Sequence, residues 1–251
     1  MQNHLNTILV NKNKSNGFTL VELAIVIVII GLLLGGVLQG QELIRQAQIR
    51  NGVKRFEEFK SATIMFYGKY NVLPGDMTNT QATNFLGTWG VGNNNGKIDW
   101  SSESNSFWWQ LVTSKMLNNI IRADDGKPIT SSTPSQYAKF AIGKGGNSSG
   151  AIGVALAVYG DLYGGITIGN NITLVSTTLN YNQLNLAAVT ANEARQIDEK
   201  IDDGKANTGI LIGYGAKSIV DATTDMTCNI GAAYVNDDSI LACKIFYDLG
   251  L

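Results

Sequence analysis

Histidine occurs once in 251 residues, at His4, so no imidazole stands anywhere in residues 5–251. That absence excludes serine–histidine and cysteine–histidine nucleophile pairs and histidine-ligated metal centres from nearly the whole chain. Cysteine is limited to Cys228 and Cys243. Two thiols alone cannot complete a tetrahedral zinc site; an oxidising compartment makes one disulfide the simplest arrangement, with two separate buried thiols as the alternative. Proline is scarce at three residues, and charged residues are only 16% of the chain. The formal charge is -1 and no dense basic run is present, so there is no electrostatic footprint for nucleic acid. Glycine, by contrast, is abundant at 28 residues. Together with many Asn, Ser and Thr, it points to a loop-rich β domain outside the cell.

What the chain does have is one long apolar run, Gly17 to Leu38, G-F-T-L-V-E-L-A-I-V-I-V-I-I-G-L-L-L-G-G-V-L. From Phe18 it supplies about 21 helical residues, roughly 30 Å at 1.5 Å per residue, enough for a bilayer core. Residues 18–38 are therefore predicted to span a membrane. Glu22 is the one charge in the run. An ionised carboxylate in a membrane helix costs about 3 kcal/mol on insertion scales, so it calls for a partner. Lys12 and Lys14 precede the run, and a short basic flank stays cytoplasmic, placing the rest of the chain on the other side. A secretory signal peptide has a shorter apolar core and a small-residue cleavage site behind it. This run is longer, and no such site closes it.

The stretch K-N-K-S-N-G followed by F-T-L-V-E resembles the prepilin processing signal of type IV pilins and type II secretion pseudopilins. The resemblance covers about 35 residues, and its G-F-T-L-x-E core is specific. It implies that residues 1–17 are a leader removed by a prepilin peptidase. Gly17 is then the residue before the cut, Phe18 the new and N-methylated N-terminus, and Glu22 the fifth mature residue. Removing Lys12 and Lys14 leaves 17 bases against 20 acids, a net charge of -3. Nothing accounts for the apolar Ile8-Leu9-Val10 cluster within that leader. The freed α-amine, with a pKa near 8, is largely protonated at neutral pH. Glu22 lies one turn along the helix, where a carboxylate suits the positive helix end and can neutralise the amine of a neighbouring subunit. Pairing two otherwise costly charges rewards one helix stagger, and the resemblance implies that this sets register in a growing filament. Type IV pilins commonly carry a C-terminal disulfide loop, which supports pairing of Cys228 with Cys243. The implied fold class is α+β and pilin-like, a long N-terminal helix packed on a C-terminal antiparallel β-sheet head.

Beyond Leu38 the pattern predicts that the helix continues to about Gly68, through the good helix formers of Gln41–Ala47 and Val53–Tyr67. Ile49, Val53, Phe56, Phe59 or Lys60, and Thr63 to Phe66 recur at three- and four-residue steps, a stripe suited to lie on a sheet. Residues 18–70 form a spine in this reading and 71–251 a globular head. Leu73-Pro74-Gly75-Asp76 makes the turn that ends the spine, and Thr80 to Leu86 reads as a short helix. Gly92-Asn93-Asn94-Asn95-Gly96-Lys97-Ile98-Asp99 is partly in step with a calcium loop. Its first position would be Val91, which cannot coordinate, and its twelfth Ser102, which cannot chelate with two oxygens, so an Asn-Gly turn is expected. Ser104 or Asn105 is placed as the cap of a helix over Phe107–Val112 that ends near Leu117, with Trp108 and Trp109 assigned to the core. Asp124–Pro128 reads as a turn.

Strands are predicted at Lys139–Ile142, Ile152–Tyr159, Ile166–Ile168, Ile172–Val175, Thr208–Tyr214, Gly231–Val235 and Ile240–Tyr247. The Cys228–Cys243 bridge is expected to staple the last two together. Gly143–Gly150 lacks the G-K-[ST] end of a phosphate loop and reads as a hairpin connection. Thr190-Ala191-Asn192-Glu193 is a capping box that starts a helix through Ile197 and Ile201. Asp198, Asp202 and Asp203 read as a solvated helix end, with a cation site as the alternative. The functional expectation is a non-enzymatic structural subunit, minor in a type IV pilus or pseudopilus, with no cofactor and no metal. Its partners are the peptidase, other pilin or pseudopilin subunits and the inner membrane. The head is expected in the periplasm, and later in a periplasmic or cell-surface filament. The alternatives are a type II secretion pseudopilin driving protein export, and a membrane-anchored enzyme or binding protein sharing only the export signal.

Overall fold

The structure is a computed structural model that describes residues 18–99, 102–118, 120, 128–130, 132, 137–139, 152–158, 170–176, 187–215, 227–236, 240 and 242–251. The chain divides into two compact units between Leu43 and Ile44. Helix α1 (Leu20–Tyr70) contributes to both. In the first unit every residue from Leu20 to Gln39 is exposed, and an apolar surface running all round a helix is one that lipid covers. Among the described residues α1 is the one helix long and apolar enough to cross a membrane.

In the second unit α1 is amphipathic. Ile49, Gly52, Val53, Phe56, Phe59, Ala62, Thr63 and Phe66 are buried, while Lys54, Glu57, Glu58 and Ser61 are exposed. The predicted stripe is therefore present. The polar member of the stripe satisfies itself locally, Thr63 Oγ1 donating to Phe59 O at 2.8 Å. The helix ends at Tyr70, two residues beyond the expected end, and Asn71 adopts a left-handed φ of 53°. Asn tolerates that conformation better than most residues, and so stops the helix before the Pro74-Gly75 turn.

Helix α2 (Asn79–Leu86) begins at a full capping box between Thr78 and Gln81, a T-x-x-Q signature that the sequence displays openly. Helix α3 (Glu103–Thr113) is capped from Ser102, two residues earlier than expected, without a side-chain bond from the cap. Trp108 packs edge-on against Phe59 with centroids 5.0 Å apart, and Trp109 lies 5.4 Å from Trp89. Both Trp108 and Trp109 are fully buried. They are core.

The main sheet is antiparallel with strand order β1-β2-β3-β7-β4. Its strands are β1 (Tyr137–Lys139), β2 (Ile152–Val158), β3 (Asn170–Ser176), β4 (Leu211–Gly215) and β7 (Cys243–Asp248). Register is fixed by pairs such as Leu174↔Ile245 and Gly213↔Ile245, which flank β7 on both sides. Phe56 of α1 meets Tyr247 of β7 at 5.2 Å, so the helix stripe covers this part of the sheet. Helix α4 (Ala191–Ile201) opens on the expected Thr190–Glu193 capping box. Arg45 Nε donates to the buried Glu193 Oε1 at 3.0 Å, tying α1 to the first turn of α4.

A separate two-stranded sheet pairs β5 (Asn229–Ile230) with β6 (Ala233–Tyr234). The segments expected as strands at 231–235 and 240–247 are thus linked through the Cys228–Cys243 bond, not through a shared ladder. A tight turn at Gly231–Ala232 sends 233–234 back onto 229–230, so the two expected strands lie in different sheets. The strand expected at Ile166–Ile168, the Gly143–Gly150 connection and residues 124–127 of the expected turn lie outside the described residues.

Candidate functional site

Two groups of residues have chemistry beyond packing: the start of α1, and acidic side chains that organise loops of the head. At the start of α1, Phe18 is 84% exposed. Thr19 and Glu22 hold each other reciprocally. The Thr19 N–H and hydroxyl both donate to Glu22 Oε2, at 2.9 and 2.8 Å, and the Glu22 N–H donates to Thr19 Oγ1 at 3.2 Å. This is the geometry of a capping box, in which side chains satisfy the orphan N–H groups of the first turn. The Glu22 carboxylate is thus held at the positive end of the helix, facing back toward Phe18. Gly17, with Lys12, Lys14 and His4, lies outside the described residues.

In the head, Cys228 and Cys243 form a disulfide across a sequence separation of 15. Cys243 opens β7, where Val189 also bridges to it, and Cys228 directly precedes β5. The bond therefore fastens the small hairpin to an interior strand of the main sheet.

Asp198, Asp202 and Asp203 present carboxylate oxygens within 4.8 Å of one another. Each is used to hold the loop between α4 and β4. Asp198 accepts from Tyr234 OH at 2.8 Å and from Gly204 N at 3.2 Å. Asp202 accepts from the N–H groups of Ile210 and Leu211, and Asp203 from Lys205 N and the Thr208 hydroxyl. Burial raises the Asp198 carboxyl to about 6 against the lowering effect of the Tyr234 hydroxyl. The Thr208 hydroxyl draws exposed Asp203 the other way, below the ordinary range. The cluster acts as a set of loop ties.

A second acidic group, which sequence reading did not single out, joins Asp76 of the turn after α1 to Glu103 at the start of α3. Asp76 and Glu103 are each 1% exposed, and both accept hydrogen bonds from the Asn93–Asp99 loop. Their partnership is non-local, so no spacing in the sequence announces it; the one local signal is an acid directly behind a Pro-Gly turn.

Residues 12–38 match the prokaryotic N-terminal methylation motif, the prepilin-type signal of type IV pilins and pseudopilins. No curated protein and no solved structure matches the chain. The motif ends inside the exposed apolar half of α1 and contains Gly17, Phe18, Thr19 and Glu22. It is the signal of processed, structural pilin-type subunits that are anchored in the inner membrane and later assembled into filaments.

Proposed function

We propose that this chain is made as a precursor, cut by a prepilin peptidase between Gly17 and Phe18, methylated on the Phe18 amine, and built into a type IV pilus or pseudopilus as a minor structural subunit. The observation that carries this reading is the methylation motif at residues 12–38, coincident with the start of an exposed apolar helix. Before assembly, residues 18–38 anchor the chain in the inner membrane, and the basic Lys12/Lys14 flank keeps the leader cytoplasmic and the head periplasmic. The Thr19–Glu22 capping box gives the carboxylate local partners while the helix sits in lipid, where an unpartnered charge is costly. In the filament, Glu22 accepts the protonated amine of a neighbour's Phe18, and the helices pack side by side. The head, tied by its disulfide, faces outward, and its role is structural, not catalytic.

Mass spectrometry of the membrane-extracted protein is expected to give a mature chain beginning at methylated Phe18. Gly17→Leu is expected to accumulate the uncut precursor. Glu22→Ala is expected to be cut and membrane-inserted, yet missing from sheared filaments. A chain still beginning at Met1, or Glu22→Ala recovered in filaments at the wild-type level, would contradict the proposal.

A further inference from the structure

The dipeptide Asn-Gly occurs at Asn16-Gly17, Asn51-Gly52 and Asn95-Gly96. Glycine has no Cβ, so in this dipeptide the main-chain nitrogen is the least shielded from the amide carbon of the side chain before it. Asn16-Gly17 lies outside the described residues. The fold sets the other two in opposite circumstances. Asn51 and Gly52 stand inside α1, with Gly52 buried. A helix interior commits each N–H to the carbonyl four residues earlier, so the Asn51 side chain meets a free Gly52 nitrogen only if that turn of helix opens.

Asn95 and Gly96 sit in the exposed loop between α2 and α3, where the contacts favour attack of one on the other. Gly96 N, the nucleophile, donates to Asp76 Oδ2 at 2.8 Å. Asp76 is buried and is held by a second bond, from Asn95 N to Oδ1 at 3.2 Å. Its carboxylate is thus a fixed base beside that nitrogen. Burial raises the carboxyl above its ordinary range, against the lowering pull of the loop N–H groups, which makes it a stronger base. The acid facing it is Glu103 at the start of α3, itself beside Asp99, and among the described residues no lysine or arginine pairs with it.

The electrophile is prepared as well. Asn95 Oδ1, which takes on negative charge as Cγ is attacked, accepts from Lys97 N at 2.8 Å. That bond folds the side chain back over Gly96, carries Cγ toward Gly96 N, and supplies the donor that a tetrahedral centre needs. The leaving group, Nδ2, has no partner among the described residues. Gly96 has a φ of 79°, and a Cβ there would meet nothing, so the loop has room for a ring. We propose that Asn95-Gly96 is a self-modification site, at which the Gly96 nitrogen displaces the Asn95 side-chain amide with Asp76 as the base. Gly96 N bonds to Asn95 Cγ and passes its proton to Asp76 Oδ2. The Cγ–Nδ2 bond breaks, and Nδ2 leaves as ammonia with the proton that Asp76 returns. Water then opens the cyclic imide. Opening at Cγ gives an aspartyl residue at position 95, and opening at the main-chain carbonyl gives an isoaspartyl one. Either product adds a negative charge beside Asp76, and the second also lengthens the main chain by a methylene. Both weaken the ties from Asn95 and Gly96 to Asp76, so a head that has reacted carries a loosened loop.

The test incubates the full chain in detergent, native and unfolded in urea, and follows the amide-to-acid mass increment in tryptic peptides. Trypsin cuts after Lys69 and Lys97, which puts Asn95 in residues 70–97, and after Arg50 and Lys54, which puts Asn51 in residues 51–54. Fragment ions assign the change within the longer peptide. Native Asn95 is expected to convert at least about tenfold faster than in urea, a floor below what a positioned base usually contributes. Native Asn51 is expected to convert more slowly than in urea. Across a pH series, the rate at Asn95 in urea is expected to climb with hydroxide, and the native rate to level off once Asp76 is ionised. Native Asn95 converting no faster than in urea, Asn51 and Asn95 converting alike in the native chain, or a native rate that keeps climbing with hydroxide would each overturn the proposal.

Discussion

Removing the Cys228–Cys243 bond tests how the head is held together. Both sulfurs are fully buried, so a reductant added to folded protein reaches them poorly, and the cleaner perturbation is the double variant Cys228→Ala/Cys243→Ala. The bond spans 15 residues. Closing a loop of that size stabilises the folded state by about 3 kcal/mol, through the entropy it removes from the unfolded chain. For a domain of 150–250 residues each kcal/mol moves Tm by about 2–4 °C, so the variant should melt roughly 6–12 °C lower. The bond joins the β5–β6 hairpin to the first residue of the interior strand β7. The loss should therefore appear first as increased hydrogen exchange in residues 227–236, ahead of global melting. The assay is near-ultraviolet circular dichroism of the full chain in detergent, which follows the buried tryptophans of the head, not the apolar half of α1. A variant that melts within about 2 °C of the wild type, with unchanged exchange in 227–236, would refute this account of the bond.

Other substitutions separate core from surface and probe charge. Phe56→Ala removes a fully buried ring that packs on Tyr247 and should cost about 3–5 kcal/mol, whereas Arg55→Ala breaks an exposed pair with Glu58 and should cost no more than about 1 kcal/mol; chemical denaturation of the two variants measures the contrast. The Asp198 carboxyl is raised to about 6 in the folded chain from an unfolded value of about 4. Between these values the folded state binds more protons, so this group's contribution to stability declines as pH rises from about 4 to 6. Asp198→Asn should remove that decline, giving a flatter pH profile of Tm across the same interval.

Elements set by local chemistry were legible in the residues alone. The apolar run, the Phe56–Phe66 stripe, the Pro-Gly turn and the Thr190–Glu193 capping box each depend on neighbours within a few positions, and the structure has all four. Ile152–Val158 and Asn170–Ser176 are strands nearly where alternation and β-branched residues placed them. Long-range choices were not legible. Nothing in Gly231–Val235 says that it turns back on Asn229–Ile230 instead of joining the main sheet, because register there follows from the turn at Gly231. The acids Asp76 and Glu103 are separated by 27 residues of sequence, and only folding brings them to one loop. Thr78–Gln81 was legible and overlooked: its T-x-x-Q spacing marks the start of α2.

Strand β7, the last of the described strands in sequence, lies between β3 and β4. Until residues 243–248 are in place, β1–β3 and β4 are therefore fragments with raw hydrogen-bonding edges. That strand is a keystone: it closes the arch and delivers the second sulfur of the bridge in the same step. A product cut short before β7 leaves those margins open to pairing with other strands.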